Sequence, residues 1–477
     1  MTQLDNKIER DLLRKLDRRL VAWAALAYFS NVLLRNNMPH AFTNGMNTDL
    51  HLNSSAYNWA NSMFFISYSI FQIPSNVVFS QVLPQWYLPC AVILSGLLSN
   101  LMALITHRHI MLLYVVRFCL GLAEAGCYPC IIFLIGSWYL QKELNIRTGM
   151  IVIASNLASG VNGLLGGAIA SNLEDLWGIR GWQWLFIIQG MLAICIGISG
   201  FFCLPNYPHN TPWITPEERQ IALRRKPMSV KSPLEEQESL LLVSAKTLKH
   251  LATTPYCYLL TAMFACIVMG DTIMHNLTII LNGRGYSSAH ANFLSVGVFI
   301  FSIFPSLVLA RTSDTLRHKG LHIFLVSCWS AMWYMFSALV DTQVILFGAA
   351  YGATLNAILM PITLNWASQI YACDHDMRAI ILPVIVTFGN LIPYLIRPLT
   401  WEVTDAPDYV KGKWSCVAAG LGAALFCVII ALLLRLRILL PQDVRREQQP
   451  LLGSSSHARR KRRYNPRYTT DYKSLNM

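Results

Sequence analysis

Charge is what this sequence has least of. Of its 477 residues only 13% are Asp, Glu, Lys or Arg, against roughly 25% in an ordinary soluble domain. Water is therefore not the main solvent of the fold. Acids are scarcer than bases, 25 against 38. The chain also lacks a Gly-rich phosphate loop, a nucleophile elbow and any His/Cys/Glu cluster at metal-ligand spacing. Those absences argue against an enzyme, against a cofactor and against an ATP-driven engine in cis. A cleavable signal is missing as well. Residues 1–20 are charged and amphipathic, and the first apolar block after them is long enough to span.

Twelve cysteines are present but make no disulfide framework, because most fall inside apolar stretches. Cys127 and Cys130 have CxxC spacing. A redox or metal role needs a reachable thiolate, and this pair sits in strongly apolar sequence, so both read as buried core thiols.

What the chain does have is apolar length. Hydrophobic residues make up 54% of it and come in blocks of roughly twenty, enough to cross a hydrocarbon core about 30 Å thick. Spans are expected near 21–42, 57–81, 87–106, 110–138, 147–170 and 182–204, then near 255–281, 290–310, 321–340, 343–370, 379–402 and 413–438. The fold class is an all-α membrane protein of about twelve helices in two six-helix halves, residues 21–204 and 255–440. A segment 1–20, a central loop 205–254 and a basic, Ser-rich tail 441–477, expected to be disordered, complete the chain. Two six-span halves fit a transporter whose substrate site lies between them near the midplane.

The net charge of +13 does not point to nucleic acid. Lys7, Arg10, Arg14, Lys15, Arg18 and Arg19 precede the first span, and Arg459 to Arg463 form a run in the tail. That is a positive-inside pattern, placing both termini and the central loop in the cytoplasm. In the loop, Thr215-Pro216-Glu217-Glu218 reads as a capped helix start, with Thr215 as N-cap and Glu218 closing the capping box. Small residues at Ser159, Gly160, Gly163, Gly166 and Gly167 mark a span able to pack closely against another. Prolines such as Pro39, Pro129 and Pro393 lie in or near spans, as suits a bundle that rocks.

Four ionisable residues stand deep in the membrane, where each needs a partner, a cavity or a job. Arg35 and Arg117 come from opposite directions to about the same depth, roughly 10–12 Å below the outer face at 1.5 Å per residue. Two guanidiniums at one depth make an anion site. Glu124 lies on the face of Arg117, about 10 Å deeper, as a proton carrier or the structural ion partner of Arg117. Asp271 and His275, one turn apart, form a second protonatable pair or line an outer gate. Asn37, Tyr68, Asn276 and Asn390 fill out the polar lining, each also able to bond helix to helix.

These residues together resemble the major facilitator superfamily, specifically the fungal allantoate-permease branch of its anion:cation symporters. The resemblance runs through Leu13 to Leu20, Tyr57-Asn58-Trp59-Ala60, Ile73-Pro74-Ser75-Asn76, Arg117 to Gly126 with Pro129, Leu204-Pro205, Trp213 to Arg219, Asn365-Trp366, Gly389-Asn390 and Asp405 to Tyr409. It implies alternating access and uptake of a small organic anion (a vitamin, ureide, carboxylate or short peptide), usually with protons. By resemblance Arg35 and Arg117 are substrate ligands and Glu124 the coupling residue. Leu34 and Gln72 stand where the branch has acids, which keeps a proton-independent uniporter or exchanger open. A nutrient sensor signalling through the tail is the third reading. The tail and loop carry sorting-like motifs (Glu447 to Leu452, Glu236 to Leu241, Asn465 to Tyr468, Tyr472 to Leu475), which imply trafficking adaptors and sorting between the plasma membrane and an endosomal or vacuolar membrane, the plasma membrane favoured. Asn53-Ser54-Ser55 is a glycosylation sequon set close to the membrane.

Overall fold

The computed structural model describes residues 3–52, 54–208, 210–211, 213–225, 254–316, 318–340, 342–371, 375–402, 405 and 408–435. The sorting motifs, the sequon asparagine and most of the central loop lie outside them. Within them the chain is helical apart from its connecting turns and loops, with no strand, and nine helices are long and apolar enough to cross a membrane. Three further segments complete the twelve: Ala22–Arg35 with its continuation to Asp49, then Ser54–Gln81 and Pro84–Met102. The protein is an integral, multi-pass membrane protein of two six-helix halves.

Proline explains where two spans break. An N–H at position 39 would bond the carbonyl of Arg35, and Pro39 has none, so the first helix ends at Arg35 and restarts at Met38. Pro129 likewise leaves the Ala125 carbonyl without its helical donor, and the fourth span divides into Ile110–Glu124 and Cys127–Trp138. Both breaks fall beside an ionisable residue. The seventh span breaks without proline, after Gly270 and again at Asn276. There, side chains capture the last carbonyls: Asn356 donates to Ile267 at 2.7 Å and Arg397 to Val268 at 2.9 Å.

The halves meet mainly along two seams, the fifth span (Gln141–Asn172) on the eighth (Ser288–Leu316) and the second on the eleventh (His375–Thr400). Gly163 and Gly166 let the first seam close. A β-carbon at Gly163 would stand 2.7 Å from Val296 Cγ2. The hydrogen bonds described between the halves gather at the end remote from the amino-terminal helix Gln3–Leu16. His40 Nδ1 meets Asn292 Oδ1 at 2.6 Å, Asn292 donates to Asn44 at 3.2 Å, and Ser288 donates to the Thr43 carbonyl at 2.6 Å. Asn58 bonds the Trp401 carbonyl at the same end, and Phe65 stacks on Tyr394 with centroids 3.6 Å apart. This far end is shut.

The near end is tied within the amino-terminal half. Asp17 accepts from Arg147 (2.7 and 3.0 Å) and from Tyr139 (2.8 Å). The expected capping box forms at Thr215, and the helix Pro216–Arg224 docks below the bundle. Arg225 pairs with Glu9 at 3.0 Å and Glu143 at 2.6 Å, and Lys15 with Glu218. Burial pushes the Glu218 carboxyl up, but Lys15 and the Thr215 backbone outweigh it and hold it below the usual carboxylate range.

Candidate substrate site between the halves

Arg35 sits at the end of its helix, one-sixth exposed, over the rings of Tyr68 (4.6 Å) and Phe64 (5.6 Å). Its Nη2 meets Glu124 Oε2 at 3.2 Å. Glu124 is fully buried, and its other oxygen has no partner among the described residues. A desolvated carboxylate held by one guanidinium can exchange that partner for a proton.

Depth is where the structure departs from the sequence arithmetic. Arg35 and Arg117 do not share a level without an acid; Arg35 is matched by Glu124, and Glu124 pairs with Arg35 rather than with Arg117. Rise per residue locates backbone, whereas side chains lean toward a helix's amino terminus. Arg35 leans back down the first span, and Glu124 leans up the fourth, which runs the other way. They meet. Arg117 leans toward the far end, where its Nη2 donates to Asn37 Oδ1 at 3.2 Å.

Arg117 heads a buried polar chain. Asn37 donates to Gln189 (3.2 Å), Gln189 to Asn162 (2.7 Å), and Asn162 to the Leu33 carbonyl (3.1 Å). Each of these side chains is essentially inaccessible. The amides consume one another's hydrogen-bonding capacity, leaving Arg117 Nε and Nη1 unpaired among the described residues. Gln189 and Asn162 were legible only as polar residues in apolar spans.

In the other half, Asp271 Oδ2 lies 3.3 Å from His275 Nε2 at the seventh-span break. His275 lines a small cavity between the halves with Asn36, His40, Asn162, Thr278 and Ser295. Asn276 and Asn390 bond carbonyls of their own helices, Thr272 and Val386. The structure thus brings Arg35, Tyr68, Glu124, Asn37 and Arg117 together and Asp271 with His275, and leaves Asn276 and Asn390 bonded locally. Cys127 and Cys130 are buried thiols with no disulfide.

Two broken helix bundles joined along paired seams, with buried charged side chains in each and a small cavity between them, fit a transporter architecture. The chain belongs to the Major Facilitator Superfamily, whose family model matches residues 24–396. Among its relatives is the pantothenate transporter liz1 of Schizosaccharomyces pombe, 24% identical over 87% of this chain and 80% of that one. A putative tartrate transporter of Agrobacterium vitis is 28% identical over 67% and 68%. In fold it is similar to a bacterial homolog of the human lysosomal transporter Spinster, solved inward-facing and unoccupied (TM-score 0.66, 15% identity, covering 86% of this chain and 96% of that one). The protein is a membrane transporter, not an enzyme.

Proposed function

We propose that this transporter carries a small carboxylate-type nutrient, a vitamin, ureide or short peptide, into the cytoplasm with protons by alternating access. The observation that carries the proposal is the Arg35–Glu124 pair. A substrate carboxylate and Glu124 compete for one guanidinium. Protonation of Glu124 removes its claim, and Arg35 is then free for the anion. Release of the proton at the other face restores the pair and expels the substrate. Arg117 and Tyr68 assist as anion ligand and ring platform, and Asp271 with His275 supplies a second protonatable group. The pantothenate carried by the fission-yeast relative is a monocarboxylate of this class. Both termini face the cytoplasm, so the closed far end faces outward.

An exchanger on the same fold is favoured by Leu34, a fully buried apolar side chain at a position where a second membrane acid would serve coupling. Reconstituted protein in liposomes separates the two. Labelled pantothenate, nicotinate, allantoate and tartrate are offered with and without an inward proton gradient. Gradient-driven accumulation establishes symport; uptake that only equilibrates, stimulated by internal substrate, establishes exchange. Absence of carboxylate transport overturns the anion reading.

A further inference from the structure

A third membrane arginine lies outside the site described so far. Arg397, on the eleventh span, is 6% exposed. It sits 4.2 Å from the centroid of Tyr394 and donates one hydrogen bond to Val268. Its Nε has no partner among the described residues, and no ion pair joins it to a carboxylate there. Capping a carbonyl needs a donor, which Asn356 supplies one residue earlier without a charge. A full positive charge in this position asks for more than that.

Its neighbours say what. Tyr57, on the second span, is 1% exposed, its hydroxyl has no partner among the described residues, and it lies within electrostatic reach of both Arg117 and Arg397. Tyr394 lies within reach of Arg397, Asp271 and Arg35. Each phenol thus has an arginine of either half in its neighbourhood, and the Phe65–Tyr394 stack lies among them. Arg117 and Arg397 stand near Tyr57, and Arg397, Asp271 and Arg35 near Tyr394.

We infer that Arg397 is the carboxyl-terminal half's anion ligand. When the far end opens, it receives the anion together with Arg117 and the Tyr57 hydroxyl, and the anion bridges the halves as they close. This rests on the reading of the substrate as an organic anion. It adds that the anion is held from both sides.

The test uses the purified full chain and thermal unfolding with nicotinate, pantothenate and tartrate, each monocarboxylate beside its neutral amide. Wild type is expected to be stabilised by the monocarboxylates and not by the amides. Arg397→Gln is expected to weaken the monocarboxylate response about tenfold or more, the effect of losing one charge-assisted bond, with Arg397→Lys in between. Asn356→Ala, which removes the neighbouring cap alone, should leave the preference for acid over amide unchanged. If Arg397→Gln keeps wild-type affinity and preference while Arg35→Gln and Arg117→Gln lose them, the inference about Arg397 is overturned and the anion reading stands. If Arg397→Gln is too unstable to assay, the Lys variant decides, since undiminished monocarboxylate affinity there overturns the Arg397 contact and a weakening supports it. A wild type indifferent to every carboxylate overturns both readings.

Discussion

Replacing Glu124 by Gln isolates the charge of the Arg35–Glu124 pair from its geometry. The amide oxygen can still accept from Arg35 Nη2, 3.2 Å away in the native pair. The Coulomb attraction disappears. At that separation and an effective dielectric near 20, it amounts to about 5 kcal/mol. Desolvation of the carboxylate offsets part of this, and an incoming substrate carboxylate must displace what remains. A net hold of only about 1.4 kcal/mol corresponds to a factor of ten. Glu124→Gln should therefore lower the KM for the transported carboxylate by at least about tenfold and abolish accumulation driven by an inward proton gradient. Counterflow exchange should continue. The assay is uptake of labelled substrate into proteoliposomes at matched and opposed pH. Proton-driven accumulation at the wild-type level would refute the coupling role. An unchanged KM would refute the competition for Arg35.

Three further outcomes are expected. Asp271→Asn should flatten the pH dependence of uptake while leaving substrate affinity within about threefold, because it removes the partner of His275 and touches none of the Arg35 contacts; an unaltered pH profile would remove Asp271 from the account. Gly163→Leu should wedge the far end apart, since even a β-carbon meets Val296 and the Asn292 carbonyl. Spin labels at positions 59 and 399, in a background cleared of native cysteines, should move apart, and uptake should drop about tenfold or more. Docking of the helix Pro216–Arg224 should weaken in acid. The Glu218 carboxyl is held below its ordinary value, so its contribution is complete above the ordinary carboxylate pKa and fades as pH falls through the lowered one. Hydrogen exchange of residues 216–224 should rise below about pH 4, and Lys15→Ala should show the same rise at neutral pH.

Apolar blocks of bilayer length made the twelve spans readable, because a spanning helix must satisfy its own backbone and show lipid an apolar surface. The capped start at Thr215 was equally legible, its signal being local. The breaks were harder. The fourth and seventh spans read as continuous segments, whereas the chain interrupts each where a neighbouring side chain or a missing N–H releases the backbone. Arg35, Arg117 and Glu124 stood out by charge, but their pairing turned on the direction in which side chains lean. Arg397 was hidden by its place near the end of a span, where an arginine ordinarily snorkels to water. Tertiary packing buries it instead.

The far-end seal has a consequence for how such a molecule moves. Its polar contacts are amides and a hydroxyl (Asn292, Asn44, Ser288), set beside the stacked rings of Phe65 and Tyr394 and the close approach of Gly163 to Val296. Parting the polar contacts trades each hydrogen bond for another to solvent, at a net of about 1 kcal/mol apiece. Parting the apolar ones exposes their surface to water. The hydrogen bonds thus fix how the two halves register, and the apolar packing around them sets most of the resistance to opening.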